Sequence, residues 1–105
     1  MTVSRQVAEG ATNQGADEII AYTLTTTNWG SSPSSVSVVV FDITDGVRTD
    51  VTSTVMPTNS PSVQSDLITL SPLKSLTAGN TYRVEIKFTV SGNVLEAYAI
   101  VNAEN

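Results

Sequence analysis

The sequence contains no cysteine and no histidine. Without thiols there are no disulfide bonds, no thiolate zinc sites and no cysteine nucleophile, so the hydrophobic core alone has to stabilise the fold. Without imidazole the chain lacks the commonest general base and the commonest metal ligand. We therefore expect no catalytic residues, no bound metal and no cofactor, and we expect that the protein is not an enzyme.

Charge is scarce as well. Charged residues make up only 14% of the chain, and the net charge is −5. The basic residues are scattered along the sequence as Arg5, Arg48, Lys74, Arg83 and Lys87. Because the basic residues are scattered and fewer than the acidic ones, the chain attracts neither a phosphate backbone nor an anionic membrane surface. We expect no nucleic-acid partner and no membrane partner.

Long apolar runs are also missing. No stretch approaches the about 20 apolar residues of a membrane span, and the first eight residues lack the apolar run of a signal peptide. The sequence taken alone predicts a soluble product made in the cytoplasm, with a domain cut from a longer exported chain as the alternative. A length of 105 residues is that of one domain. Residues 1–105 are accordingly expected to form a single domain with one core.

Apolar residues recur with a period of two in several segments, and no stripe of period 3.6 is long enough for a helix. Strands are predicted over residues 3–7, 19–27, 36–43, 47–55, 67–70, 82–90 and 94–101. Asp45-Gly46 and Ser91-Gly92-Asn93 predict tight turns, because glycine tolerates the positive φ that such turns require. Residues 10–15 and 58–65 are predicted loops, and residues 102–105 are a predicted loose tail. The pattern predicts an all-β, antiparallel sandwich of about seven strands.

Residues 76–82, with the sequence Leu-Thr-Ala-Gly-Asn-Thr-Tyr, stand directly before the most regular alternating segment. This stretch resembles the fibronectin type III and immunoglobulin-like pattern, in which Leu, Gly and Tyr keep this spacing before the sixth strand. The resemblance implies an immunoglobulin-like, fibronectin type III-like sandwich. It also implies that Tyr82 forms a corner, with its ring in the core and its hydroxyl bonded to backbone at the turn.

A second pattern combines residues 18–22, the threonine-rich run that ends at Trp29, residues 79–82 and the final hairpin. Together with its size, this pattern resembles the small immunoglobulin-like accessory proteins of tailed phages, of the adaptor or decoration type. The resemblance implies a non-catalytic virion protein that attaches to other virion proteins or to copies of itself. The alternative is an immunoglobulin-like spacer or carbohydrate-binding module of a bacterial surface or secreted protein. A core position for Trp29 is favoured over a sugar-stacking one.

Two local patterns have both a chemical and a structural interpretation. Ser71 and Lys74 match the Ser-x-x-Lys spacing of β-lactamase-like enzymes, but the further motifs of those enzymes are absent and a loop is favoured. Asp42, Asp45 and Asp50 flank a predicted turn, and converging carboxylates can hold calcium. Their spacing fits no calcium loop that we identify. Turn chemistry is therefore the favoured interpretation of the three aspartates.

Apolar residues on the outer faces of two strands form the candidate interface. In the last strand Glu96 is expected to face solvent, which places Tyr98 and Ile100 on the outer face as well. In the third strand the same reasoning from Asp42 places Val38 and Val40 outside.

An apolar outer face commonly marks an interface, so the candidate interface residues are Val38, Val40, Tyr98 and Ile100. The strand between them carries Arg83, Glu85 and Lys87, which are expected to divide the apolar patch. The structural alternative is that the aliphatic stems of these charged residues cover it.

Overall fold

Two β-sheets pack face to face in the computed structural model, which describes residues 2–6, 11–27 and 29–105, the first of these ranges as backbone. The strands are β1 (Thr2–Gln6), β2 (Thr12–Gly15), β3 (Thr23–Thr25), β4 (Ser34–Asp42), β5 (Thr49–Asp50), β6 (Ser62–Gln64), β7 (Leu67–Thr69), β8 (Thr81–Val90) and β9 (Asn93–Glu104). A 3₁₀ turn, Thr44–Gly46, precedes β5, and a one-turn helix, α1 (Thr52–Val55), follows it. In the described part of the chain no helix has the length and apolar character needed to cross a bilayer.

The strand order is that of an immunoglobulin-like sandwich. The large sheet has the order β1-β9-β8-β4-β5, with β2 on the same edge of β9 as β1, and the small sheet has the order β3-β7-β6. Strands β3, β7 and β6 correspond to strands B, E and D of that fold, and β9, β8, β4 and β5 to strands G, F, C and C′. Only β1 and β2 run parallel to their neighbour. The predicted all-β, immunoglobulin-like sandwich is confirmed.

Strand β8 supplies the centre of the core. Its side chains alternate between buried and partly exposed along the whole strand, as the sequence predicts. The buried set is Tyr82, Val84, Ile86, Phe88 and Val90. Each large apolar side chain buried in this way contributes about 1.5–3 kcal/mol. The small sheet closes the core from the other side with Leu24 and Ile68.

Tyr82 forms the corner that the sequence resemblance implies. Its ring is 3% exposed, and its hydroxyl accepts a hydrogen bond of 2.8 Å from the backbone N–H of Thr77. The bond spans the turn that leads into β8, so it connects the start of that strand to the loop before it.

Both turns predicted from glycine are confirmed. In the turn between β4 and β5, Asp45 has φ 58° and Gly46 has φ 78°; in the β8–β9 turn, Ser91 has φ 50° and Gly92 has φ 81°. Positive φ at two successive residues gives a backbone twist that matches paired antiparallel strands. The β4–β5 pairing is short, however, and covers two residue pairs.

The predicted loop over residues 10–15 and the predicted tail over residues 102–105 are both wrong where the structure describes them. Residues 12–15 form β2 and pair with residues 101–104 of β9, and Ala103 is buried. The predicted first strand is confirmed over residues 2–6. Residues 7–10 lie outside the described residues.

The physical reason for β2 is a buried glutamine. Gln14 is fully buried, and its side-chain N–H groups donate to the carbonyl oxygens of Glu18, at 3.0 Å, and Leu73, at 2.8 Å. Its amide oxygen accepts a hydrogen bond of 2.8 Å from the hydroxyl of Tyr22. A polar residue whose donors and acceptor are all satisfied can lie in a core. Composition therefore misidentified this segment as a loop.

The predicted strand over residues 47–55 is also wrong beyond Asp50. The Asp50 carboxylate accepts hydrogen bonds from the backbone N–H, at 3.0 Å, and the hydroxyl of Thr52, at 2.7 Å. This local bonding competes with strand pairing. The chain turns into α1 and buries Val55 and Met56 in the core. The predicted loop over residues 58–65 likewise contains β6.

We predict that Gln14→Leu destabilises the protein by about 2–4 kcal/mol, because it leaves the buried carbonyl of Leu73 and the partly buried hydroxyl of Tyr22 without partners. Urea denaturation followed by circular dichroism measures the loss. Gln64→Leu, at an exposed position of β6, is the matched control and should change stability by less than about 0.5 kcal/mol. Equal losses in the two variants would contradict the role of Gln14.

We predict that Tyr82→Phe costs about 1 kcal/mol, because the buried ring is kept and only the acceptor for Thr77 is lost. Tyr98→Phe removes a hydroxyl that makes no hydrogen bond to the described residues and should be nearly neutral. The same urea measurement distinguishes them, and a neutral Tyr82→Phe variant would show that the corner bond does not stabilise the fold.

Candidate functional site on the outer face of the large sheet

The predicted orientation of Val38 and Val40 is wrong. They are 3% and 0% exposed, respectively, and belong to the core, and Val36 packs against it from the same strand. These side chains present no surface to a partner. The outward residues of β4 are instead Val39 and Phe41, which are half-buried.

Asp42 explains this reversal. It shares the inward side of β4 with Val38 and Val40, although the sequence prediction assigned its carboxylate to solvent. At the end of the strand its carboxylate accepts hydrogen bonds from the backbone N–H of Thr44, at 3.0 Å, from the Thr44 hydroxyl, and from the side-chain amide of Asn80, at 2.9 Å. With these donors the carboxylate does not have to turn outward.

The predicted orientation of Tyr98 and Ile100 agrees with the structure. Both are half-buried on the outer side of β9, where Tyr98 pairs with Glu85 and Ile100 pairs with Arg83. Strand β8 lies between β9 and β4, so its charged residues separate the apolar residues of the two neighbours, as predicted. Participation of Tyr98 and Ile100 in an interface stays a prediction.

Five side chains form a continuous line across this face, which we call the arginine–aromatic row: Phe41, Arg48, Glu85, Arg83 and Tyr98. The Arg48 guanidinium carbon lies 4.0 Å from the centre of the Phe41 ring, and that of Arg83 lies 3.8 Å from the centre of the Tyr98 ring. Between them, Glu85 Oε2 accepts hydrogen bonds from Arg48 Nη2 at 2.9 Å and from Arg83 Nε at 2.8 Å. One carboxylate thus orients both guanidinium groups.

The individual interactions in the row are weak. The Arg48 side chain is 57% exposed, so solvent screens its ion pair with Glu85 and the pair is worth at most about 1 kcal/mol. A cation–π contact at an exposed site adds about 0.5–1 kcal/mol. The row therefore contributes little to stability, but it holds two planar cations over two rings. The group that lies over Tyr98 is the Arg83 guanidinium and not the aliphatic stem of a charged residue, which was the alternative to an exposed apolar interface.

Charges of both signs lie on this face. Among the described side chains, Arg48, Arg83 and Lys87 lie on it together with Glu85 and Glu96. The exposed guanidinium of Arg48 beside the Phe41 ring is suited to a protein surface that offers carboxylates and apolar groups, because arginine and aromatic residues are enriched in interface cores.

The other chemical motifs have structural roles. Residues 71–74 are not helical, and Ser71 Oγ accepts a hydrogen bond of 2.8 Å from the backbone N–H of Ser60, so the loop interpretation is confirmed. Asp42 and Asp50 accept hydrogen bonds in turns, and Asp45 lies in the β4–β5 turn with φ 58°. Within the described ranges no three acidic residues come together as candidate metal ligands.

Trp29 has the core position that the sequence favours. Its ring packs against the core and stacks on Phe88, with ring centres 5.8 Å apart and planes inclined by 22°. Trp29 also lines a cleft between the sheets, together with residues of β3, β8 and β9.

Sequence reasoning missed Arg48 and Phe41. The ion pair between Arg48 and Glu85 joins residues 37 positions apart, and the wrong orientation of β4 hid the Phe41 ring. The Asp45-Gly46 turn was a usable signal, because a tight hairpin brings residues just after the turn close to those just before it.

Comparisons with known proteins assign no family. No protein-family model matches the chain, and no curated protein matches it significantly.

We predict that Asp42 makes stability depend on pH in the acid range. Burial acts to raise the pKa of Asp42, but the hydrogen bonds from Thr44 and Asn80 outweigh it and lower the pKa below its ordinary value of 3.8. The resulting stabilisation is present above that ordinary value and is lost as the pH falls through the folded-state pKa.

Urea denaturation at neutral pH and at about pH 3 tests this prediction. Asp42→Asn should be less stable than the wild type at neutral pH, with a smaller loss on acidification. Asn80→Ala, which removes one donor, should have an intermediate effect. An unchanged loss on acidification in Asp42→Asn would show that another group causes it.

Proposed function

We propose that the protein is a non-catalytic attachment domain that binds other protein molecules through the outer face of its large sheet. The observation that carries this proposal is the arginine–aromatic row, in which Glu85 orients Arg48 and Arg83 over two aromatic rings. Side chains that are already ordered lose less entropy on binding, so a partner gains more from each contact.

The chemistry of the face supports a specific kind of partner surface. Carboxylates of the partner would accept hydrogen bonds from the exposed guanidinium of Arg48, and apolar groups would cover the flanking Val39 and Ile100. Such a combination of a ring, a cation and an apolar edge is typical of residues that dominate binding energy at protein interfaces.

The sequence resemblance supports a setting for this attachment. Residues 18–29 and 79–82 resemble accessory proteins of tailed phages, so the partners in this proposal are other virion proteins or further copies of the chain, and the location is the virion. The competing proposal is an immunoglobulin-like spacer or carbohydrate-binding module of a bacterial surface or secreted protein.

We predict that the purified chain self-associates through this face and that Arg48→Glu weakens the association by about 10- to 100-fold in dissociation constant. Light scattering across a concentration series measures the solution mass. Lys74→Glu introduces the same change of charge away from the row and should alter the dissociation constant by less than about threefold, since rim charges mainly affect association rates.

The outcomes separate the proposals. A discrete oligomer that Arg48→Glu dissociates supports attachment through the row. Equal effects of Arg48→Glu and Lys74→Glu on the dissociation constant would show that the interface does not include the arginine–aromatic row. A strict monomer at about 1 mM would overturn self-attachment and favour the spacer or sugar-binding alternative, which a titration with soluble oligosaccharides then tests.

A further inference from the structure

One edge of the small sheet has no neighbouring strand among the described residues. Strand β3 forms this edge, and both N-terminal strands, β1 and β2, are paired with β9 in the large sheet. The backbone N–H of Leu70 donates to the carbonyl of Tyr22 at 2.8 Å, and that of Thr26 donates to the carbonyl of Asp66 at 2.8 Å. Since backbone groups alternate in direction along a strand, Thr23 and Thr25 direct their N–H and C=O groups away from β7. No described residue pairs with them.

An apolar cleft of about 480 Å³ lies beside this edge. Its floor is formed by core side chains of the opposite sheet, Val84 and Ile86 from β8 and Ala99 and Val101 from β9. Of these four side chains Ala99 is partly exposed, whereas the other three are only 1–2% exposed, so the cleft reaches the inner surface of the large sheet mainly at Ala99. The volume is within the range of protein sites that hold a ligand.

Aromatic side chains border the cleft. Tyr22 and Trp29 both line it, and the Tyr22 hydroxyl crosses to β2 by donating to Gln14. Leu24, between Thr23 and Thr25, directs its side chain toward the core. A residue placed opposite Leu24 on an added strand would therefore point into the cleft, because paired residues share a face.

We propose that this cleft receives an extended segment of a partner protein, which adds to β3 as a further strand and inserts apolar side chains between the sheets. Unpaired backbone groups beside apolar pockets at alternate positions are what strand addition requires: hydrogen bonds supply affinity and the pockets supply specificity. An apolar small molecule would fill the cleft but leave the Thr23 and Thr25 backbone groups unpaired.

Carboxylates near the ends of β3 indicate which residues the two ends of the partner segment carry. None of the described residues that line the cleft is charged, but carboxylates lie near both ends of β3. Glu18 acts on Tyr22 at one end, where burial and this neighbouring charge raise the pKa of the tyrosine. Asp66 accepts a hydrogen bond of 3.1 Å from the Thr27 hydroxyl at the other end. The segment thus has alternating apolar residues in its centre and lysine or arginine at its ends.

This second site goes beyond the proposed attachment face and does not depend on it. The cleft lies between the sheets, whereas the arginine–aromatic row lies on the outer side of the large sheet. Variants of Arg48 and variants of β3 therefore test different claims, and the failure of one leaves the other standing.

The test uses a synthetic capped peptide in which valine alternates with threonine and a lysine stands at each end. Titration into the ¹⁵N-labelled protein should shift the amide signals of β3 and of the cleft. Hydrogen exchange of the Thr23 and Thr25 amides should slow by at least about tenfold at saturation, because these amides become hydrogen-bonded.

Thr25→Pro is the critical variant, because it removes an N–H group that points outward and leaves the bonds between β3 and β7 intact. We expect it to weaken peptide binding by at least about tenfold. Val63→Pro is the matched control, since Val63 occupies the equivalent outward position on β6, the other edge of the same sheet. Ala99→Leu, which fills the cleft from its floor, should also weaken binding. Circular dichroism and thermal unfolding verify that each variant is folded.

Several outcomes would overturn the proposal. These are no binding at about 1 mM peptide, equal losses in Thr25→Pro and Val63→Pro, or protection at β6 in place of β3. If a peptide with glutamate at both ends bound with the same affinity as the lysine-ended peptide, basic residues at the ends of the segment would not be required. A dimer of the wild-type chain that Thr25→Pro dissociates would show that a second copy, and not a different partner, occupies the cleft.

Discussion

Strand β8 determines the arrangement of the large sheet, because it is hydrogen-bonded to β9 along its whole length and to β4 along most of it. Its alternating side chains place an apolar row against the small sheet and a charged row on the outer face. A shift of one residue in either pairing would exchange the two faces. The register of β8 therefore fixes the core and the arginine–aromatic row together, and Tyr82 secures the point where the strand begins.

The N-terminal strands explain the asymmetry of the sandwich. Both β1 and β2 add to the same edge of β9, and Gln14 attaches β2 to the loop around Leu73 through buried hydrogen bonds. The pairing of β1 and β2 with β9 covers one edge of the large sheet. It also leaves β3 without a second neighbour among the described residues, and the unpaired backbone groups of an edge strand can pair with a strand of another chain. The proposed partner site is thus a direct consequence of the topology.

Much of the fold was predictable. The strands β8 and β9, both tight turns and the Tyr82 corner follow from local sequence patterns. The errors at residues 12–15 and on β4 arose where polar side chains were assigned to solvent, whereas residues 102–104 were assigned to a loose chain end. Gln14 and Asp42 find their hydrogen-bond partners within the protein. Of the four candidate interface residues, Tyr98 and Ile100 keep their predicted orientation, whereas Val38 and Val40 are in the core.

The sequence by itself determined the all-β class, the positions of the turns and the inward faces of β8 and β9, because period-two alternation and glycine conformation act between near neighbours. The tertiary structure alone decided the parallel pairing of β1 and β2 with β9, the inward face of β4, the contact of Arg48 with Glu85 and the open edge of β3. These features depend on hydrogen bonds and ion pairs between residues far apart in the chain. Whether a polar group can be buried is settled only by the partner that folding brings to it.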